Sequence, residues 1–395
     1  HSAAAQRSLL KALELAASWA DTISTGEIAM ELQRDLGLLS SDLADLPARH
    51  RSVDAVWSGT LARLDPEVRI TLAQLSIFRG GFTRSAAEVV TNASLMTLAQ
   101  LTSRYLLSFD RESGRYHIHE LIRQFGWQQL GITTAAADVQ KHHFEYYEAL
   151  LAEELIHLRG PEQLATLRRL DAEQDNIRET MRWGLRMPDY ADRLARMLYH
   201  LHWYWRIRSR VREGRQWVER ILAQPGRSAE SEAMVCLVAG HMAWMTGDYV
   251  SASAHERTGL AFLATVEPPE SPSRLLLMAY IKMALAMTEH WTDQPQSALN
   301  LMRESLDGFL ALEDEWGIAF NMTFMCRALQ HAGDPAAAQE AIDEALIRCH
   351  HLADPFLMAI ACSNAAFLAL EAGDLDRAAE MAHQAGAYQR ATGHI

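Results

Sequence analysis

The sequence predicts a mainly α-helical chain, in which a compact unit bearing a two-stranded wing is followed by a long solenoid of paired helices. Three observations carry this. Alanine and leucine dominate, with only 21 glycines and 11 prolines in 395 residues, a composition that favours helix. Apolar spacing of helical period runs almost unbroken from residue 133 to the end, with a turn signal about every 40 residues. The period drops to two only around residues 107–110 and 115–118, which flank Arg111-Glu112-Ser113-Gly114 as a hairpin with glycine at its turn.

Residues 3–22 read as a helix with Leu9, Leu10, Leu13, Ala16 and Ala17 on one face, and a second short helix follows Ser24-Thr25-Gly26-Glu27. Residues 40–51 are polar, broken by Leu46-Pro47, and read as a linker. This sets a first boundary: 1–45 as the end of a helical domain and its linker, then a compact domain at 46–131. That domain opens with a helix at 53–64. Asp65-Pro66-Glu67 starts another, with an acid at the cap and proline at the first helical position. Its apolar face carries Leu72, Leu75 and Phe78, and it stops at Gly80-Gly81. Thr83 begins a short helix to about Thr91, with a Ser85-Ala86-Ala87-Glu88 capping-box pattern. Ser94 caps a third through Tyr105. Helices, a wing and a closing helix make a winged helix.

Residues 132–188 read as a connector of long helices, interrupted at Gly160-Pro161 and Met187-Pro188. The repeats occupy 189–395. Gly247-Asp248, Thr292-Asp293, Gly333-Asp334 and Gly373-Asp374 recur at 45, 41 and 40 residues, each followed by a small residue: Ala252, Ser297, Ala338 and Ala378. Ser209-Arg210 with Gly214 is a degenerate earlier copy. The turn residue caps the second helix of a pair, the small side chain lets the pair close, and stacking buries what one pair cannot. The period exceeds the 34 residues of a standard tetratricopeptide repeat, so the expectation is a tetratricopeptide-like α-solenoid with long helices.

Composition narrows the function. No apolar run is long enough to span a bilayer, and the first residues carry no signal-peptide pattern. Cys236, Cys326, Cys349 and Cys362 sit apart within helical patterns and read as buried hydrophobes in a reducing cytoplasm. Cys349-His350-His351 lacks a second ligand cluster at zinc-like spacing, so no metal is expected. The net charge of −13 argues against nucleic acid as main partner. The charge is uneven, however. Arginines outnumber acids across 160–225, whereas 226–395 hold nine basic residues against twenty-two acids. That basic belt is a docking surface or, more simply, a solvated helix face. Only three lysines accompany thirty-four arginines, a bias that points to a GC-rich bacterial genome, and the chain opens on His1-Ser2 like a piece of a longer protein.

No phosphate loop, nucleophile elbow or zinc-protease helix is present, so no catalytic residues are assigned and the chain is not expected to be an enzyme. The helix that would enter a major groove, 94–105, offers only Arg104 and Gln100 for base contacts. DNA binding is therefore not expected of this winged helix. The run from Tyr199 to Trp205 either lines a ligand or partner groove or fills the core beside the first repeat. Trp203, Tyr204 and Trp205 are consecutive and cannot all face one way, so at least one ring is expected at a surface or interface. His241, Trp244, Trp291 and Phe324, on first helices of later repeats, complete the candidate groove.

Taken with these features, residues 12–17, 46–52, Leu75-Ser76-Ile77-Phe78-Arg79-Gly80-Gly81-Phe82, Ile118-His119-Glu120-Leu121-Ile122-Arg123-Gln124 and Asp175-Asn176-Ile177-Arg178 resemble the STAND-class signalling ATPases. The likeness is greatest to the NB-ARC-like bacterial transcriptional regulators with tetratricopeptide sensor arms, and it extends over essentially the whole chain. The resemblance implies that Ile118-His119-Glu120 matches the family's Met-His-Asp motif, with His119 approaching the β-phosphate of ADP to hold a closed state. Without that role, His119 tethers the wing to the closing helix. The family's phosphate loop, acidic strand and sensor arginine would lie in a nucleotide-binding module upstream. Its Gly-x-Pro motif should fall at Ser8, Leu9 and Leu10, where glycine and proline are missing. This chain itself is then expected to hold no cofactor, ADP or ATP belonging to the full-length protein. A protein, peptide or small-molecule inducer would bind the solenoid. The alternative is a constitutive adaptor whose solenoid binds another protein without nucleotide control.

Overall fold

The computed structural model describes Ser24 and residues 64–131, 135–266 and 271–393. The expected helices at 3–22 and after residue 24, the linker, and all but Leu64 of the helix at 53–64 lie outside the described residues. The chain divides into two compact units, one of residues 1–147 with 173–180 and the other of 148–172 with 181–395.

In the first unit α1 (Pro66–Leu75), α2 (Arg84–Thr91) and α3 (Leu95–Ser103) precede a hairpin and α4 (Glu120–Gly131). The hairpin pairs β1 (Ser108–Asp110) with β2 (Arg115–His117) in antiparallel register, Phe109 opposite Tyr116. Phe82 adds an isolated bridge to Tyr116. Thr83 and Ser94 cap α2 and α3 through their hydroxyls, the Thr83 oxygen accepting from Ala86 N, so the Ser85–Glu88 box is not what starts α2. Asp65 stands at the cap of α1 but its carboxylate makes no capping bond, and Pro66 alone marks that start. Leu72, Leu75, Phe78, Phe82, Leu98 and Leu101 form the core. A Cβ on Gly126 would lie 2.0 Å from Ser76 Oγ, so α1 and α4 pack at a distance only glycine permits.

Two long helices follow, α5 (Ala135–His157) and α6 (Gln163–Gly184). Residues 173–180 of α6 belong to the first unit, where they grip the turn after α1. Gly80 and Gly81 sit at φ 71° and 95°. Asn176 accepts from Arg79 N at 2.6 Å and donates to the Gly81 carbonyl at 2.9 Å. Arg115, buried on β2, donates to the same carbonyl at 3.0 Å and pairs with Glu173, which also accepts from Tyr147 and Asn176.

Within the second unit the described residues form five antiparallel pairs stacked as a solenoid. These are α7 (Ala191–Ile207) with α8 (Val211–Leu222), α9 (Ala229–Trp244) with α10 (Tyr249–Ala264), α11 (Pro272–Trp291) with α12 (Pro295–Ala311), α13 (Glu315–His331) with α14 (Pro335–Leu352), and α15 (Pro355–Glu371) with α16 (Leu375–Thr392). Each first helix also packs on the next first helix, so the five line one interior. The turns carry the expected chemistry. Gly247, Gly333 and Gly373 have positive φ, and Asp248, Asp334 and Asp374 then cap the second helices with their carboxylates. The third turn is displaced by one residue. Asp293 takes the left-handed position and Gln294 the cap, so the small residue packed between helices is Ala298, buried, and not the exposed Ser297. The degenerate copy keeps the geometry, with Ser209 left-handed and Gly214 so close to α9 that a Cβ would meet Met242 Sδ at 2.6 Å.

The superhelix turns back on itself. Asp354, capping α15, is fully buried and accepts from Leu357 N, Gly160 N, Gln163 Nε2 and Trp316 Nε1 at 2.8–3.0 Å. Gln163 Oε1 in turn accepts from Phe356 N at 2.9 Å. Arg208, just past α7, donates to the Thr392 carbonyl at 2.7 Å. First and last pairs are thereby joined.

Candidate ligand site

The interior of the solenoid is aromatic, and Trp203 stands in it. Its ring lies 4.8 Å from Trp316, 5.3 Å from Phe320, 5.6 Å from His241 and 6.1 Å from Phe356. Two arginines share this interior. Arg159 lies over Trp316 and Tyr280 at 4.6 and 5.1 Å and faces Asp314 at 3.7 Å, so its charge is matched. Arg206 is 4% exposed and lies 5.2–5.6 Å from the rings of Trp203, Trp244, Phe320 and Phe356. Its polar contact is His241 Nε2 at 3.5 Å, and no carboxylate pairs with it among the described residues. Burial pulls this guanidinium down to about 9 and holds His202 at about 3, with His241 well below the usual imidazole range, so both rings are neutral at pH 7. The indole N–H groups of Trp203 and Trp244, His202 Nε2 and His241 Nδ1 are buried without hydrogen-bond partners.

None of Trp203, Tyr204 and Trp205 stands at a surface; the ring expected at a surface or interface is packed against neighbouring helices, for all three are buried. The C-terminal part of α7, residues 201–207, is buried all round. Trp203 faces the interior, Tyr204 donates to Asp171 of α6 at 2.7 Å, and Trp205 packs at Gly214 of α8. His241, half-buried Trp244 and half-buried Phe324 do gather around this interior, Phe324 through Phe320 at 5.3 Å. Trp291 does not. Half exposed, it stacks with Tyr249 and borders a separate open cavity of about 490 Å³ with His290, Arg327, His331, Phe367 and Glu371. Sequence reasoning missed Arg159, Arg206, Trp316, Phe320 and Phe356. The signal was present: Trp316, Phe320 and Phe324 recur every four residues on α13, and Arg206 directly follows the aromatic run.

In the first unit His119 is exposed at the start of α4, where its Nδ1 accepts from Leu121 N at 3.3 Å. In the neutral ring that leaves the proton on Nε2. Helix α3 presents Leu95 and Met96 to solvent, and Arg104 is exposed at its C-cap. Much of the basic belt is used internally: Arg169 pairs with Glu154, Arg193 with Glu148, and Arg208 and Arg210 with Asp171. The four cysteine thiols are buried and pushed up to about 11–12 by desolvation. Among the described residues no helix is long and apolar enough to cross a membrane.

No protein-family model and no curated protein matches the chain. Solved structures do match, and the fold shared with the first of these, paired helices stacked in series, is a tetratricopeptide-like solenoid. One is a Signal Transduction ATPase with Numerous Domains (STAND) protein with a tetratricopeptide repeat sensor from Pyrococcus horikoshii. It aligns with a TM-score of 0.52 at 13% identity, over 96% of this chain and 59% of that one. The present chain thus spans about three fifths of its length. A Rap protein complexed with competence and sporulation factor aligns at 0.46 and 16% identity, over 62% and 67% of the two chains. BtubC from P. vanneervenii aligns at 0.40 and 18%, over 59% and 92%.

Proposed function

We propose that the chain is the regulatory and sensor portion of a STAND-type signal-transducing transcriptional regulator. The observation that carries this is the extent of the P. horikoshii alignment, which takes in nearly all of the chain and so goes beyond the repeats alone. In this reading the helix–hairpin unit is a winged helix acting as relay, and the solenoid takes an inducer. The chain is not itself an enzyme, and ADP or ATP belongs to a nucleotide-binding module of the full-length protein. The buried network of Arg115, Glu173, Tyr147 and Asn176 supports the relay, because α6 contributes to both units and this network fixes it to the wing. His119 would hold ADP through Nε2–H, its Nδ1 being held by the α4 backbone. An inducer shifts such a switch only by its differential affinity for the two states.

The test is ADP release from the full-length protein. His119→Ala should lose ADP at least tenfold faster, with its melting curve unchanged. Equal release rates would remove His119 from the mechanism. A full-length protein that binds no nucleotide would favour the constitutive adaptor.

A further inference from the structure

Burying a guanidinium strips it of water, and folded proteins ordinarily answer with a carboxylate. Most arginines with largely buried side chains follow that rule, although Arg274 donates instead to the Val266 carbonyl. Arg115 holds Glu173, Arg123 holds Glu120, Arg227 holds Glu232, and Arg159 faces Asp314. Arg206 breaks it. Its surroundings are four aromatic rings and a neutral histidine, and cation–π contact supplies no hydrogen-bond acceptor for its N–H groups. Two groups beside it, the Trp203 and Trp244 indole N–H groups, are donors without an acceptor, while His202 Nε2, whose ring donates from Nδ1 to the Tyr199 carbonyl, is an acceptor without a donor. The indole N–H groups call for an acceptor and the guanidinium calls for a negative charge, and one anionic acceptor would answer both.

Resting on the sensor reading above, we propose that the solenoid interior at Arg206 is the ligand site, and that its ligand is a small, flat, apolar molecule bearing one carboxylate. The carboxylate would take the Arg206 guanidinium in two-point contact and accept from the indole N–H groups. The ring faces of Trp203, Phe320 and Phe356 would hold the apolar body. A doubly charged phosphate fits less well, because the second cation of this interior, Arg159, is already engaged by Asp314. The half-buried rings Trp244 and Phe324 stand at the edge of the cluster and are the ones that turn to admit a ligand.

The test is isothermal titration of the chain with benzoate, phenylacetate and indole-3-acetate, each against its neutral primary amide. At least one acid should bind saturably and its amide at least tenfold more weakly. Arg206→Met should abolish the preference for acid over amide. With no ligand added, this variant should melt at or above the wild-type temperature, since an unmatched buried charge has been removed. No saturable binding by any of the three acids would overturn the proposal, as would equal binding of acid and amide. A lower melting temperature of Arg206→Met, with acids failing to stabilise the wild type, would make Arg206 purely structural. The acid–amide comparison needs no variant, so it stands even if Arg206→Met fails to fold. The nucleotide assay with His119→Ala does not involve Arg206, and the two readings can therefore fail separately.

Discussion

Glu256 on α10 is fully buried, its carboxyl group beside the Thr288 hydroxyl. Desolvation, with the Glu289 carboxylate nearby, pushes it up to about 8. Its folded-state value lies above the unfolded one of 4.5, so the native chain binds the extra proton between those limits. Stability from this group is present in full below pH 4.5 and is lost as pH rises toward 8. Glu256→Gln, which cannot ionise, should gain on the order of a few kcal/mol over wild type at pH 8 and little at pH 5. Urea melts at the two pH values measure this, and equal gains at both would show that Glu256 is not protonated in the fold. Nothing in the local sequence marks Glu256 as buried. Arg257 follows it directly, as beside a solvated acid, and the close approach of Gly240, where a Cβ would meet Glu256 Cγ at 2.7 Å, is a tertiary fact.

At the scale of elements, the turns were the most legible part of the chain. Left-handed residue, cap and small residue recur because a helix must end, the next must begin, and the two must touch, all within six residues. The slip at Asp293 came from treating every aspartate as a cap; there the aspartate has taken the place of glycine. The hairpin and the starts at Thr83 and Ser94 were equally plain. Asp354 shows where local reading ends. It is recognisable as the cap of α15, but its bonds to Gly160 and Gln163 join segments more than 190 positions apart. Asp354→Ala should therefore lose more than a cap, about 3 kcal/mol or above, because three further donors are left buried. Asp334→Ala, a cap with an exposed carboxylate, should lose about 1 kcal/mol. Equal losses in chemical denaturation would mean that Asp354 does no more than cap.

For the whole molecule, the buried histidines set the acid limit. His143 and His202 are held at about 3, and His200 and His290 at about 4, chiefly by desolvation. These folded values lie below the unfolded 6.5, so their contribution is complete above pH 6.5 and is lost as pH falls toward 4 and 3. At pH 5 the fully buried His143 and His202 each cost about 2 kcal/mol relative to neutrality, with half-buried His200 and His290 costing less. The melting temperature should therefore fall steeply between pH 6.5 and 5, and a flat profile there would show these rings to be solvated. The candidate interior was only partly legible at this scale. Trp203, His241, Trp244 and Phe324, named from the sequence, lie around one interior, whereas Arg206 and Phe356 meet only because the superhelix closes.

That closure makes the solenoid a hoop and not a spring. An open array of repeats can fray from one end, or relax its pitch by small equal steps along its length. Here Arg208 reaches the Thr392 carbonyl and Asp354 reaches Gly160, so neither end is free to yield alone. Any ligand that widens the interior must either part this seam or turn all five pairs together. A graded push at the centre is thereby converted into a choice between two shapes.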